Sequence, residues 1–539
     1  MKYFSVMLAN GPFRLLKSKG VGHTPEGTYP GDPTPLLFAA NLAIRSAAAG
    51  GYEGLSWRPR FPDEVYNPVI WNEAVEAAFI AKLRRERPAV FAVSGTSPAW
   101  PFLRRMVELA RKAGAFTIVG GPHMDEMWTL TGPHPAHPLF VSPEVFEVTV
   151  SGDGQYPFDF LLRAVARSLE ISGGELDRAL LKEVICSRRE EIAGLPGRSQ
   201  ISLLSGSGEL IQLETSGSRL KLADHGSPYE HFAPRAKFPI FGNERTAHVM
   251  STFGCAFHCA FCSERGNLLF RRKEAVEYAL GLMETARRHG VRKFFFDDSV
   301  LLAGAWDVIE EFCDELIARN WGVEWGGQLT VHNLTPKGRF SEPGYGKYTA
   351  EQIDRTLRKM KLSGFTYLYI GLESGSEQVM ARIDKASRLN GIWQASVRAA
   401  MKRVKRQGIR IGTSVMFGNL GETGESVDET LGFVADLVRA GLIDWASPNL
   451  ATYHPNTPLS HEDGVSDSLR YDSLPEVSEE LYEHFEEADP GRVSKRISPQ
   501  DMRHILTKIV SEWGGAYVNR RRVLEFLARK GAVAPEFAA

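Results

Sequence analysis

Three of the chain's five cysteines fall within eight consecutive residues, Cys255, Cys259 and Cys262, in the run Gly254-Cys255-Ala256-Phe257-His258-Cys259-Ala260-Phe261-Cys262. Their C-x3-C-x2-C spacing can hold three irons of a cubane iron–sulfur cluster and leave the fourth iron open to a ligand. Two other chemistries fit the same residues. His258 could join the thiols in a small zinc knuckle, since structural zinc is closed by four Cys and His ligands, or two cysteines could pair and leave a spare thiol. Cys186 and Cys313 lie far away, and no second C-x2-C exists to complete a zinc ribbon.

The elements that must position this loop alternate strongly between strand and helix. Thr246–Thr252 reads as a strand that delivers the cysteines. Lys293–Phe296, Gly322–Gln328, Tyr367–Leu372, Ile409–Phe417 and Trp445–Thr452 read as further strands, separated by helices over Glu274–Gly290, Trp306–Arg319, Tyr348–Lys361, Ile392–Gln407 and Val427–Gly441. This makes about six β/α units, a partial barrel, whose strand C-terminal ends carry polar residues where a ligand could reach them together. Those ends present Asp297-Asp298, Gln328, Glu373-Ser374-Gly375 and Gly418-Asn419-Leu420-Gly421-Glu422-Thr423. Taken singly, Asp297, Asp298 and Glu422 are equally good as helix caps.

With an aromatic residue before the third cysteine, the motif resembles that of the radical S-adenosylmethionine (SAM) superfamily. The resemblance implies a [4Fe-4S] cluster on Cys255, Cys259 and Cys262, whose open iron chelates SAM and cleaves it to a 5′-deoxyadenosyl radical. The runs 369–375 (Tyr-Ile-Gly-Leu-Glu-Ser-Gly) and 418–423 resemble two further signatures of that family. They imply Glu373 and Ser374 near the ribose or aminoacyl end of SAM and Gly418 near its adenine, with Phe261 packed on the adenine. Asp297 and Asp298 stand where many relatives carry a Gly-Gly-Glu that receives the SAM ammonium, and a carboxylate keeps that charge-assisted bond. Gln328 could reach SAM or substrate. Phe253-Gly254-Cys255-Ala256 and Leu420 depart from the frequent Arg-Gly-Cys-Pro and Gly-x-Pro-Gly-Glu-Thr.

The N-terminal part repeats the alternation. Strands over Tyr3–Leu8, Ala89–Val93, Phe116–Val119 and Val145–Val150 interleave with helices over Leu36–Ala49, Ile70–Glu86, Phe102–Ala113 and Phe158–Leu169, and a Gly/Pro-rich loop runs through Gly20, Gly22, Gly27, Gly31 and Pro35. Such alternation implies right-handed crossovers and a parallel sheet with ligands at its C-terminal edge. No G-x-G-x-x-G is present, so a dinucleotide site is unsupported. The order strand–Gly-Gly-Pro-His–strand–Ser-Gly-Asp-Gly–helix resembles the flavodoxin/Rossmann-like cobalamin-binding domain that precedes many radical SAM modules. It implies a corrin along Ser94, Gly95 and Thr96, then Gly120, Gly121, Pro122 and His123, then Gly152, Asp153 and Gly154. No D-x-H-x-x-G run places a histidine on cobalt. A vestigial domain without corrin is the alternative.

The expected organisation is α/β: a cobalamin-binding-like domain over 1–170, a connecting region over 171–237, a partial (β/α)6 radical SAM barrel over 238–455, and a small, mainly helical region over 456–539. In that last region the arginine run Arg520-Arg521-Arg522 reads as a solvated surface in preference to a lid over the barrel mouth. A net charge of −1 argues against general polyanion binding, so no nucleic acid is expected. The chain has no long apolar run and no leader pattern, and its five cysteines form no even, dispersed framework, so a cytoplasmic protein is expected, without a membrane. The resemblance implies three cofactors, the [4Fe-4S] cluster, SAM and cobalamin, and a reductant such as flavodoxin or ferredoxin. It implies a C-methyltransferase acting on an unactivated carbon of a small-molecule or natural-product precursor: one SAM methylates the corrin and a second supplies the radical. A radical cyclisation, rearrangement or ring contraction, and a non-catalytic cobalamin or iron–sulfur sensor, are the other readings of the same residues.

Overall fold

The apolar runs that read as strands lie edge to edge in two seven-stranded sheets, each in its own compact unit. One unit is built on described residues up to Ala233, the other on described residues from Pro234 onward. The structure is a computed structural model that describes residues 1–11, 34–68, 71–129, 132–134, 137–218, 220, 225–264, 272–336, 348–385, 391–454, 457–465, 484–485, 492–517 and 520–529. Most of the Gly/Pro-rich loop (Gly20 to Gly31) lies outside them.

In the first unit, β1 (Lys2–Asn10), β2 (Trp57–Arg60), β3 (Val90–Ser94), β4 (Phe116–Gly120) and β7 (Val148–Gly152) pair in parallel in the order β2-β1-β3-β4-β7, with a small hairpin, β5 (Trp128–Thr129) and β6 (Gly132–Pro133), set apart. This is the 2-1-3-4-5 order of flavodoxin-like sheets, whose ligand crevice opens beyond the strand C-termini. Phe4, Val6 and Leu8 of β1 enter one apolar layer with the helices Thr34–Ala48 and Gln155–Ile171, while Met7 and Ala9 point to the other face and are equally buried. Burial on both faces is why this strand reads as an uninterrupted apolar run. β2 has no such run: it sits at the sheet edge, where Pro59 is tolerated.

Much of the region read as a connection belongs to this unit. β8 (Ser199–Leu204) adds antiparallel to β7 and β9 (Leu210–Glu214) antiparallel to β8, the two joined by the turn at Ser205–Gly208. Leu181, Ile185, Ile192, Ile201, Leu203 and Leu213 join the same core as β1. Each such buried side chain is worth about 1.5–3 kcal/mol, which a solvated linker would forgo.

In the second unit β10 (Ala236–Lys237) is an antiparallel edge, and β11 (Arg245–Val249), β12 (Lys293–Phe296), β13 (Glu324–Gln328), β14 (Phe365–Glu373), β15 (Arg410–Phe417) and β16 (Trp445–Leu450) follow in sequence order, all parallel. This is the expected six-unit partial barrel. Alternate residues serve its two faces. Phe294, Phe296, Trp325, Leu368, Ile370, Ile411 and Val415 are fully buried, and Trp325 packs against Phe296, Phe312 and Phe365. The opposite face carries His248, Phe295, Asp297, Tyr369, Gly371, Glu373 and Ser414.

The described part of the tail belongs to this unit. The helix Pro499–Glu512 buries Met502, Ile505, Leu506 and Ile509, and Trp513 donates to Leu431 O at 3.3 Å. Arg520 caps Val510 O and Arg521 pairs with Glu525 on its own helix (Arg520–Arg529). The expected solvated appendage is therefore corrected to a packed helical layer: its amphipathic face was wide enough to bury. Among the described residues no helix is long and apolar enough to cross a membrane.

Candidate active site at the barrel strand ends

The cysteine loop leaves the C-terminal end of β11 and is fastened on two sides. Ala260 N donates to Ile383 O at 2.8 Å, and Leu459 N donates to Ala260 O at 3.1 Å. Cys259 is buried, Cys255 and Cys262 are half-buried, and all three are free thiols. They lie close enough that a Cys255 or Cys259 thiolate hinders ionisation of Cys262, and burial pushes the Cys262 thiol up to about 12. Deprotonating them together requires a cation, which is the chemistry of metal uptake by thiols. A single zinc would need sulfurs about 4 Å apart around one point. Among the described residues no group of three or more His, Cys, Asp or Glu converges in that way, and His258 is exposed. A cubane spreads its thiolates over separate irons and needs no fourth protein ligand, which suits three thiols beside an exposed His258.

Adjacent residues Asp297 and Asp298 part company. Asp298 is fully buried and accepts four hydrogen bonds, from Ser251 N (2.7 Å), Ser251 Oγ (2.5 Å), Thr252 N (2.9 Å) and Leu302 N (2.9 Å). It ties the start of the cysteine loop to the strained turn at Leu302 and Ala303, both at positive φ. A carboxylate so occupied brackets the loop, and its four protein donors leave it less free than Asp297 to meet the expected ammonium. Asp297 turns to the other face and binds His248 Nδ1 at 2.6 Å, and the His248 ring packs on Phe238.

Glu373 ends β14 in the left-handed region (φ 63°), at a register shift in the pairing with β15. The bulge re-aims its carboxylate, which pairs with Lys385 Nζ at 2.5 Å and lies 3.4 Å from Ser414 Oγ. Gly371 lies beneath this pair: a Cβ there would sit 2.5 Å from Lys385 Nζ. Ser374, its neighbour, faces away; its hydroxyl meets Thr430 Oγ1 at 2.8 Å and accepts from Ser376 N at 3.0 Å. It therefore buttresses the turn that carries Glu373. Phe261 is half-buried with Lys385 Nζ 5.9 Å from its ring centre. Gln328 is half-buried at the end of β13.

Gly418 has φ 92°, and a Cβ there would lie 3.2 Å from Ser494. Its N–H and that of Asn419 bind Glu422 Oε2 at 2.6 and 3.1 Å, and burial pushes the Glu422 carboxyl up to about 7. Glu422 thus folds the loop rather than capping the next helix, which Thr423 caps. Sequence reasoning missed His248 and Lys385, because neither stands in a motif; only the pairing with Asp297 and Glu373 marks them.

In the first unit, the expected corrin residues gather at the ends of β3, β4 and β7. Their glycines are demanded by the protein itself. A Cβ on Gly95 would lie 2.3 Å from Leu103, on Gly121 2.4 Å from Ser94 Oγ, and on Gly152 1.9 Å from Arg198 O. Gly120 and Gly154 have looser surroundings, near Val150. His123 points inward: 1% exposed, it stacks on Trp100 at 4.4 Å and meets Ser97 Oγ at 2.8 Å. Pro122 is exposed. Asp153 accepts from Arg198 N, and burial pushes its carboxyl up. Ser94, Thr96 and Gly121 are partly exposed, and two buried atoms at this edge, Thr96 Oγ1 and Gln155 Oε1, have no hydrogen-bond partner among the described residues. A flat polar ligand lying on this rim would satisfy them, so the residues fit the expected group even though His123 does not face it.

Residues 249–434 match the radical SAM superfamily, so the chain carries a radical SAM domain. Over 469 residues, 85% of this chain and 83% of the relative, it is 22% identical to an uncharacterized methyltransferase of Pyrococcus horikoshii. Among solved structures it is similar to the radical SAM methyltransferase TsrM from Kitasatospora setae with cobalamin and a [4Fe-4S] cluster bound (14% identity, TM-score 0.54, 86% of this chain and 78% of that one). It is also similar to the cobalamin-dependent radical SAM enzyme OxsB with aqua-cobalamin and SAM bound (14% identity, TM-score 0.56, 98% and 69%). At such identities the likeness is one of fold, and it runs through both units.

Proposed function

We propose that this radical SAM protein is a cobalamin-dependent methyltransferase that methylates an unactivated carbon of a small-molecule or natural-product precursor. The observation that carries this reading is the pairing, in one chain, of the cysteine loop on a six-stranded parallel barrel with a 2-1-3-4-5 sheet whose strand-end rim holds unsatisfied polar atoms. When bound, the three groups supply an electron, a hydrogen-abstracting radical and a methyl carrier, chemistry that side chains cannot provide. The chain's own residues bind and orient. Cys255, Cys259 and Cys262 hold three irons. Glu373 and Asp297 offer carboxylates to the cationic end of SAM, and charge-assisted bonds there are the strong ones. Gln328 and Phe261 border the same space, and Gly418 holds the adenine-side loop open. Asp298 and Ser374 act from behind, fixing the loop and the turn. In the first unit Thr96 and the backbone of Gly120, Gly121, Gly152 and Gly154 form the corrin rim, with Ser94, Gly95, Pro122 and Asp153 supporting it. A low-potential reductant such as flavodoxin or ferredoxin fits a cluster of this type, and five free thiols fit a reducing cytoplasm.

Anaerobic protein reconstituted with iron, sulfide and cobalamin, then given SAM, a reductant and candidate substrates, tests the proposal. The expected products are 5′-deoxyadenosine, S-adenosylhomocysteine and a methylated compound. Deoxyadenosine without methylation overturns methyl transfer, and no SAM cleavage by a fully loaded, reduced cluster overturns the enzyme reading.

A further inference from the structure

The barrel buries a cation that is not itself among the expected site residues. Lys385 is 13% exposed at its side chain and Glu373, its partner, 6%. A lysine is rarely brought this far from water unless paired. Its route in is specific. After β14 the chain makes a short helix, Glu377–Arg382, and Ile383 O then takes the hydrogen bond from Ala260 N in the middle of the cysteine loop. Asp384 turns the backbone at φ 53°, and Lys385 re-enters beneath that loop, its ammonium 5.9 Å from the ring of Phe261, between the second and third cysteines. Space is kept for it by Gly371, where any Cβ would collide with Nζ. The Glu373 carboxylate holds the ammonium in place, 2.5 Å away.

From this geometry we propose that Lys385 is a positioning residue for the iron–sulfur cluster, a buried counter-charge, set by Glu373, that stabilises the reduced state. The inference rests on the cluster assignment. Three thiolates on a [4Fe-4S]2+ core carry a net charge of −1, and uptake of one electron from a low-potential donor makes it −2 with no bond broken and no proton moved. A fixed positive charge favours the more negative state, and net charge and burial are among the levers that set cluster potentials. Glu373 acts in the opposite sense, so the two residues have effects of opposite sign, which a loosened or flooded site would not produce.

The test is an anaerobic redox titration followed by electron paramagnetic resonance, without SAM, on protein with matched iron and sulfide content. Lys385→Met is expected to lower the ratio of reduced to oxidised cluster at least tenfold at a fixed ambient potential, about 59 mV for one electron. Glu373→Gln is expected to raise it, and Lys385→Arg to stay near the native value. Where Lys385→Met does not load a cluster, the Glu373→Gln and Lys385→Arg titrations decide by the same signs. Unchanged potentials, or shifts of one sign in Lys385→Met and Glu373→Gln, overturn the inference while leaving the cluster in place. A native protein with no [4Fe-4S] signal after reconstitution overturns the cluster assignment itself.

Discussion

Replacing Asp298 separates two roles that its position allows, bracket and SAM ligand. Four donors converge on its buried carboxylate. In Asp298→Asn the retained oxygen can still accept from Ser251 N and Thr252 N. The new amide can donate to Ser251 Oγ, because a hydroxyl accepts as well as donates. Only Leu302 N is left facing another donor. One orphaned N–H costs about 1–3 kcal/mol, and the remaining bonds lose their charge assistance, so about 2–4 kcal/mol is expected. For a unit of this size that is a fall in Tm of about 3–6 °C. Asp298→Ala orphans three backbone N–H groups at once and is expected to exceed about 4 kcal/mol, an exceptional loss for one substitution. Because Ser251 and Thr252 open the cysteine loop, iron content should fall with stability in both variants. Thermal melts, iron and sulfide analysis, and equilibrium binding of SAM to whatever loaded protein remains give the three readouts. If Asp298→Asn melts with the native protein, carries a full cluster and is weakened only in SAM binding, the bracket reasoning is wrong and the carboxylate meets SAM after all.

Substituting Ala for Cys255, Cys259 or Cys262 should each abolish the iron–sulfur absorbance, whereas Cys186→Ala and Cys313→Ala should retain it, Cys313 being buried with its thiol pushed up to about 12. Burial raises the Glu422 carboxyl to about 7 against an ordinary 4.5. A carboxyl raised on folding contributes stability that is full below about pH 4.5 and is lost as pH climbs through 7, up to about 3 kcal/mol. Glu422→Gln keeps an acceptor for Gly418 and Asn419, so its Tm should vary less than the native value between pH 5 and 8; parallel profiles would refute this. Gly152→Ala drives a Cβ to within 1.9 Å of Arg198 O at φ 79°, while Gly50→Ala, at φ 90° with open space, meets nothing within 4 Å. Limited proteolysis of the first unit should therefore accelerate far more for Gly152→Ala, and equal rates would count against the contact.

Much of this protein was legible along the chain because its signals are local. The period-2 and period-3.6 alternation located the barrel strands and their helices, and the cysteine spacing located the loop, since both are set by neighbours a few residues apart. The β2 strand escaped because an edge strand needs no apolar pattern, and residues 171–233 escaped because their polar turn hid a shared core. Roles within the site were not legible. Asp297 and Asp298 are identical neighbours, yet the pleat sends one toward His248 and the other under Ser251 and Thr252. The glycines at 95, 121 and 152 carry the same type in sequence whether they make room for a ligand or for Leu103, Ser94 and Arg198. Lys385 gave no signal at all: its meaning is a carboxylate 12 positions earlier and a thiol loop more than 120 residues away. Residue type and spacing determined which chemistry this chain carries. Tertiary structure decided which side chains face it, because burial, pairing and the face a strand presents are properties of contacts that the one-dimensional pattern does not contain.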